Sequence, residues 1–200
     1  MRTRQRILEA VGAAIEAHGV RGLRLADVAA DVGFSPPAFY QYFAGLDDAI
    51  LALCEEVGEL SPQFKEDAAE WSGDRRTSAQ AFIEQYFDYW DEHRSLLTAR
   101  HMAIIAGDER HQQVADEAFR PSAEALQRNI EAGQREGRID PHLHPVALGA
   151  VLNIMLDMAA MQAPGLNQYW GAADSTDLVA AITYVFDRTL GGDDDESGLT

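Results

Sequence analysis

The chain has 200 residues, 46% apolar and 24% charged, which excludes a low-complexity or collagen-like polymer and is ordinary for a globular protein. Its single cysteine, Cys54, excludes an internal disulfide framework and fits a reducing compartment. The net charge of −17 is unevenly spread: residues 1–50 carry five arginines and six acids, and the rest carries −16, so only the N-terminal quarter can dock a polyanion. No apolar run reaches the roughly 20 residues that span a bilayer. The basic start Met1–Arg6 is followed by no apolar stretch of the kind a secretion signal needs, so the expected location is the cytoplasm, with no membrane partner.

Helical periodicity runs through the whole sequence. Ile7, Leu8, Val11, Ala14 and Ile15 mark a first helix, stopped at His18-Gly19. Leu25, Val28, Ala29 and Val32 mark a short second one, ended by Gly33, which suits a left-handed position. Ser35 can cap a third, with Pro36 where a missing N–H costs nothing, Phe39 and Phe43 inward, and Gly45 closing it. A fourth helix runs from about Asp47 to Leu60, its first-turn acids favoured by the helix dipole.

Ser61-Pro62 is a break and Ser72-Gly73-Asp74 a loop. Helices then follow over Thr77–His93, Arg94–Ala106 and Glu109–Glu136, the last tolerating Pro121. Pro145–Met161 is apolar nearly all round and must be covered on more than one side. Ala163-Pro164-Gly165 ends it, and a final amphipathic helix runs from Ser175 to Leu190. The tail 191–200 is acidic and reads as disordered. The expected fold is all-α, with about nine helices.

A short helix, a glycine turn and a second short helix, preceded by a packing helix, form a helix-turn-helix. The small residues Ser35, Pro36, Pro37 and Ala38 would let backbone approach phosphate, and Tyr40, Gln41 and Tyr42 could reach base edges. A three-helix packing unit without a DNA role is the plain alternative, but a solvated surface has little other use for two such closely spaced tyrosines.

The order and spacing of Arg6-Ile7-Leu8-Glu9-Ala10, Ala17-His18-Gly19, Leu25-Ala26-Asp27-Val28-Ala29, Val32-Gly33-Phe34-Ser35 and Phe39-Tyr40-Gln41-Tyr42-Phe43 resemble the TetR family of transcriptional regulators. The resemblance implies a helix-turn-helix DNA-binding domain over 1–46 and an effector-binding and dimerisation domain over 47–190. It also implies a homodimer on a pseudo-palindromic operator, released by a small apolar effector, with no cofactor. The chain departs from the family pattern at Leu23-Arg24, Pro36-Pro37, Tyr42 and Leu46, where the family commonly has capping or cationic residues. Each lost cation should flatten the salt dependence of DNA binding by about one unit of slope. The expected DNA-binding residues are Arg4, Arg24, Ser35, Pro36, Pro37, Ala38, Tyr40, Gln41 and Tyr42.

Phe82, Tyr86, Tyr89 and Trp90 share one broad helix face, which suits core packing and also a pocket wall. The resemblance places the effector pocket in the body and adds His101, Ile105, Phe119 and Asn129 as candidates. The body's charge favours a cationic or neutral apolar effector over a free anion. The last two helices resemble the pair that builds the family's dimer interface, with Leu148, Val151, Leu152, Met155, Leu178, Ile182 and Phe186 as contacts. Asn153 and Asp157, at i and i+4 in an apolar setting, need partners across the two-fold axis or in the pocket, unless they lie on an exposed edge.

His142 and His144 lack a third ligand at metal spacing, and no nucleotide-binding, zinc-protease or serine-hydrolase motif is present. No metal and no catalytic residue are expected. The competing reading is a helical small-molecule-binding protein or enzyme that has lost DNA binding.

Overall fold

The computed structural model describes residues 2–63, 75–170 and 175–191, and among them eight α-helices and no strand. They are α1 (Arg2–His18), α2 (Leu25–Asp31), α3 (Pro36–Phe39), α4 (Leu46–Gly58), α5 (Arg75–Ile105), α6 (Glu109–Arg135), α7 (Pro145–Trp170) and α8 (Ser175–Thr189). The all-α expectation holds. The two helices expected to meet at His93 run together as α5 across a kink at that residue, where the backbone is non-helical (φ −116°, ψ 19°). The loop at 72–74 and the tail beyond Gly191 lie outside the described residues.

Two boundaries differ from the sequence reading. The third helix is only Pro36–Phe39, continued to Phe43 by tighter bonds such as Tyr42 N–H to the Phe39 carbonyl (2.9 Å). In the other direction, α7 runs through Ala163-Pro164-Gly165 to Trp170. Pro164 removes one backbone donor, and a single lost bond late in a 26-residue helix does not end it. As a result Pro145–Leu166 forms a 22-residue apolar helix of mean hydropathy 1.6, long enough by length and composition to cross a membrane. That corrects the sequence reading, which found no run of such length. Asp157 in its middle accepts hydrogen bonds from Tyr86 and Trp90 of α5, and 33% of the helix's most apolar stretch is buried.

The chain divides into two compact units. The first comprises Met1–Ser61 with Asp91–Ala118. In it α1 packs on α2 and α4, and Ile7, Leu8, Val11 and Ile15 are buried together with Val28, Ala29 and Phe39. Gly33 ends α2 at φ +75°, and the turn is closed by the Phe34 N–H on the Ala29 carbonyl (2.7 Å). No neighbour would meet a Cβ there, so the cost of a side chain is backbone strain alone. Gly33→Ala should lower stability by about 1 kcal/mol, and Gly33→Asn by less, measured by urea unfolding.

Cys54 lies in this core, and burial pushes its thiol up to about 12, only partly opposed by the Arg100 guanidinium. The thiol is therefore neutral and shielded at physiological pH. We expect negligible labelling by a disulfide reagent at pH 8 in the native state and one thiol per chain after unfolding. Because the folded value lies above the unfolded 9.0, its contribution to stability is intact below pH 9 and fades as pH rises toward 12.

The second unit comprises Pro62–Trp90 with Phe119–Thr200. Its core joins Phe82, Ile83, Tyr86 and Trp90 of α5 to Leu126 and Ile130 of α6, Leu152 and Leu156 of α7, and Ile182 and Phe186 of α8.

Candidate functional site

The surface around the α2–α3 turn is built from short side chains and two tyrosines. Ser35, Pro36, Pro37, Gln41, Tyr40 (57% exposed) and Tyr42 (42%) are open to solvent, and Ala38 is half-buried. Tyr42 stacks on Phe34, with centroids 6.1 Å apart and planes at 17°, while its neighbours Phe39 and Phe43 anchor the segment in the core. Ser35 occupies the N-cap position with extended backbone, yet its side chain makes no capping bond and stays exposed.

Arg24, at the N-cap of α2, likewise makes no side-chain cap and is exposed. Arg4 is less available: it lies over the Phe43 ring (5.2 Å) and pairs with Glu56 at 3.4 Å. Arg6 donates to the Val32 carbonyl (3.1 Å) and so ties α1 to the turn.

At the start of α4, a shallow groove is lined by Leu25, Tyr40, Leu46, Asp47, Asp48 and Arg110, together with Ala44 and Gly45. Arg110 clasps Asp108 through Nε (3.1 Å) and Nη2 (2.7 Å), which holds the Asp108 carboxyl well below the usual carboxylate range. The sequence reading missed Arg110, the cation that stands where Leu46 supplies none.

The second unit holds a groove of about 300 Å³ between α6 and α7. Phe119, Arg120, Ala123, Glu124 and Gln127 form one wall, and Val146, Ala150, Asn153, Ile154 and Asp157 the other. Asp157 is buried, and its Oδ1 accepts two hydrogen bonds, from Tyr86 Oη (2.7 Å) and Trp90 Nε1 (3.0 Å). The Tyr86 ring stands 6.2 Å from that of Phe119. A buried carboxylate is thus set among aromatic rings at the Phe119 end of an otherwise apolar cleft. Among the described residues no three His, Cys, Asp or Glu side chains group as metal ligands.

Residues 64–191 match the family model described as tetracyclin repressor-like, C-terminal domain. The chain belongs to the TetR family of transcriptional regulators. The fold agrees with solved structures. A TetR/AcrR-family transcriptional regulator from Thermobifida fusca is 20% identical, over 96% of this chain and 98% of that one, with a TM-score of 0.63. A protein of unknown function from Rhodococcus sp. RHA1 is 23% identical over 94% and 95%, with a TM-score of 0.70. The FadR regulator of Bacillus subtilis, solved with stearoyl-CoA, is 17% identical over 94% and 98%, with a TM-score of 0.65. No curated protein matches the chain.

In this TetR-family chain, the residues expected around an effector are dispersed. Phe119 lines the groove; Tyr86 and Trp90 reach it through Asp157. Phe82 and Tyr89 are buried in packing. Asn129 spends its amide on the Ala125 carbonyl (3.0 Å). His101 and Ile105 belong to the first unit, where Ile105 is 75% exposed. The groove's remaining lining was missed in the sequence, although the pair Asn153 and Asp157 carried the signal: two polar residues one turn apart in an apolar helix.

The residues expected at a dimer surface also separate. Leu152, Ile182 and Phe186 are buried inside the chain's own core. Leu148, Met155 and Leu178 are half-buried, and Val151 is 61% exposed. The outward apolar residues of α7 and α8 are Val146, Val151, Ile154, Tyr184 and Val185. On α7, an all-apolar helix has no polar face to show which side points inward.

Proposed function

We propose that the chain is a homodimeric repressor that binds a pseudo-palindromic operator and is released by a small effector held in its body, rather than an enzyme. The observation that carries this reading is the glycine-closed α2–α3 turn presenting a solvent-facing Ser35–Tyr42 surface. Ser35, Pro36, Pro37 and Ala38 would approach phosphate, and Tyr40, Gln41 and Tyr42 would contact bases or backbone. Arg24 would add a phosphate contact, and Arg4 a weaker one because Glu56 competes for its charge. Acting on DNA places the protein in the cytoplasm.

Residues 1–46 are the reading head in this proposal and 47–190 the control body. Dimerisation uses the outward face of α7 and α8 at Val151, Tyr184 and Val185, flanked by Leu148, Met155 and Leu178. An apolar face of that kind on a folded chain is stabilised by a second copy through burial from water. A two-fold pair of heads then reads half-sites one helical turn apart. The groove between α6 and α7 takes the effector; the stearoyl-CoA in the FadR of Bacillus subtilis supports a small-molecule role for a body of this fold.

Control is a population shift, which requires the effector to favour one head arrangement over the other. Helix α6 carries one groove wall and, at its start, Arg110 beside Asp47 and Asp48 of α4. A shift of α6 would therefore reach α4 through those charges.

Fluorescence anisotropy with fragments of the native genome tests the reading. A specific shift at or below about micromolar protein, reversed by effector, is expected. Binding no tighter than to random DNA would sink it.

A further inference from the structure

The reading above leaves the effector's chemistry open, and the groove itself narrows it. Asp157 is a carboxylate in the wall of a cleft whose other surfaces are mostly apolar, and it is 7% exposed. Tyr86 Oη and Trp90 Nε1 both donate to its Oδ1, so its orientation is fixed by two bonds from α5. The Phe119 ring forms the adjoining wall, with the Tyr86 ring next to it.

The other charges lining the groove, Arg120 and Glu124, are exposed, one turn apart on α6, and of opposite sign. They offset one another, and the acid at the buried end of the groove is Asp157. A positive charge placed there would meet a carboxylate and the negative face of an aromatic ring, both partly shielded from water, where each attraction is strengthened. An anion would face the same carboxylate with the water removed. The volume of about 300 Å³ fits a compact ligand at the small end of the usual range for binding pockets.

We propose that the groove selects small organic cations, an ammonium group beside Asp157 with an apolar body lying between Ala123, Ala150 and Ile154. This rests on the reading of the groove as the effector site. It goes further by assigning the ligand's charge and the residue that reads it.

Three probes with the same chain and different heads separate the possibilities: octylammonium, octanol and octanoate, titrated calorimetrically into the full-length protein at pH 7. Octylammonium is expected to bind at least tenfold tighter than octanol, with octanoate weakest. In Asp157→Asn, whose amide oxygen can keep both hydrogen bonds, the preference for octylammonium over octanol should collapse to about equal binding.

Octanoate binding as tightly as octylammonium overturns the proposal, as does equal binding of octylammonium and octanol to the native protein. In either case the groove still stands as an apolar ligand site. Failure of all three to bind, as would follow if a second copy fills the groove, removes the effector site and the proposal together. The comparison among heads in the native protein decides the matter even if Asp157→Asn is unstable.

Discussion

In the proposed dimer, Val151→Glu should give a monomer and abolish tight operator binding. Val151 is exposed on α7 with Ile154 nearby and Tyr184 and Val185 on the adjoining α8. A two-fold interface repeats every substitution, so one change places two carboxylates in the same buried patch. Burial of unpaired charge outweighs any packing that remains. The expected loss is about 3 kcal/mol or more of association free energy, roughly a hundredfold or greater rise in the dimer dissociation constant.

Light scattering coupled to size exclusion gives the oligomeric state, and anisotropy gives operator affinity. Leu152→Ala is the informative contrast. Leu152 is buried within the chain, so its truncation should cost about 2–5 kcal/mol of folding stability through the cavity it leaves. A variant Val151→Glu that remains dimeric with native operator affinity would place the interface elsewhere.

Asp157→Ala is expected to lower folding stability by about 3 kcal/mol, because two buried donors lose a common acceptor atom. Asp157→Asn should stay within about 1 kcal/mol of the parent, since an amide oxygen accepts the same two bonds. Tyr86→Phe removes one bond and its buried hydroxyl together, so about 1 kcal/mol is expected. The three are compared by urea unfolding at one protein concentration, because a dimer's apparent stability depends on it. Equal stability of Asp157→Ala and Asp157→Asn would show that the hydrogen bonds contribute little.

These two predictions bear on different aspects of α7. One outward edge offers apolar side chains, whereas Asp157 ties the helix to α5 and forms part of the groove wall. The polar pair Asn153 and Asp157 was visible in the sequence as an anomaly, but its role was not. Tyr86 and Trp90 lie 71 and 67 positions away, and only packing brings them to the carboxylate. Phe119, expected from the resemblance, lines the groove, while His101 and Ile105, expected on the same ground, fall in another unit.

By itself the sequence determined the all-helical class, the order of helices, the glycine turn at Gly33 and the family resemblance carried by the N-terminal head. Those features are local: helical period, positive-φ glycines and a short-range pattern of inward Phe39 and Phe43 with outward Tyr40 and Tyr42. Tertiary structure alone decided which face of α7 turns inward, that Arg4 is engaged by Glu56 and Phe43, that Arg110 stands beside Asp47 and Asp48, and where the groove lies. Each of these depends on residues far apart in the chain. An apolar helix without a polar stripe encodes burial but not direction, and direction is set by what packs against it.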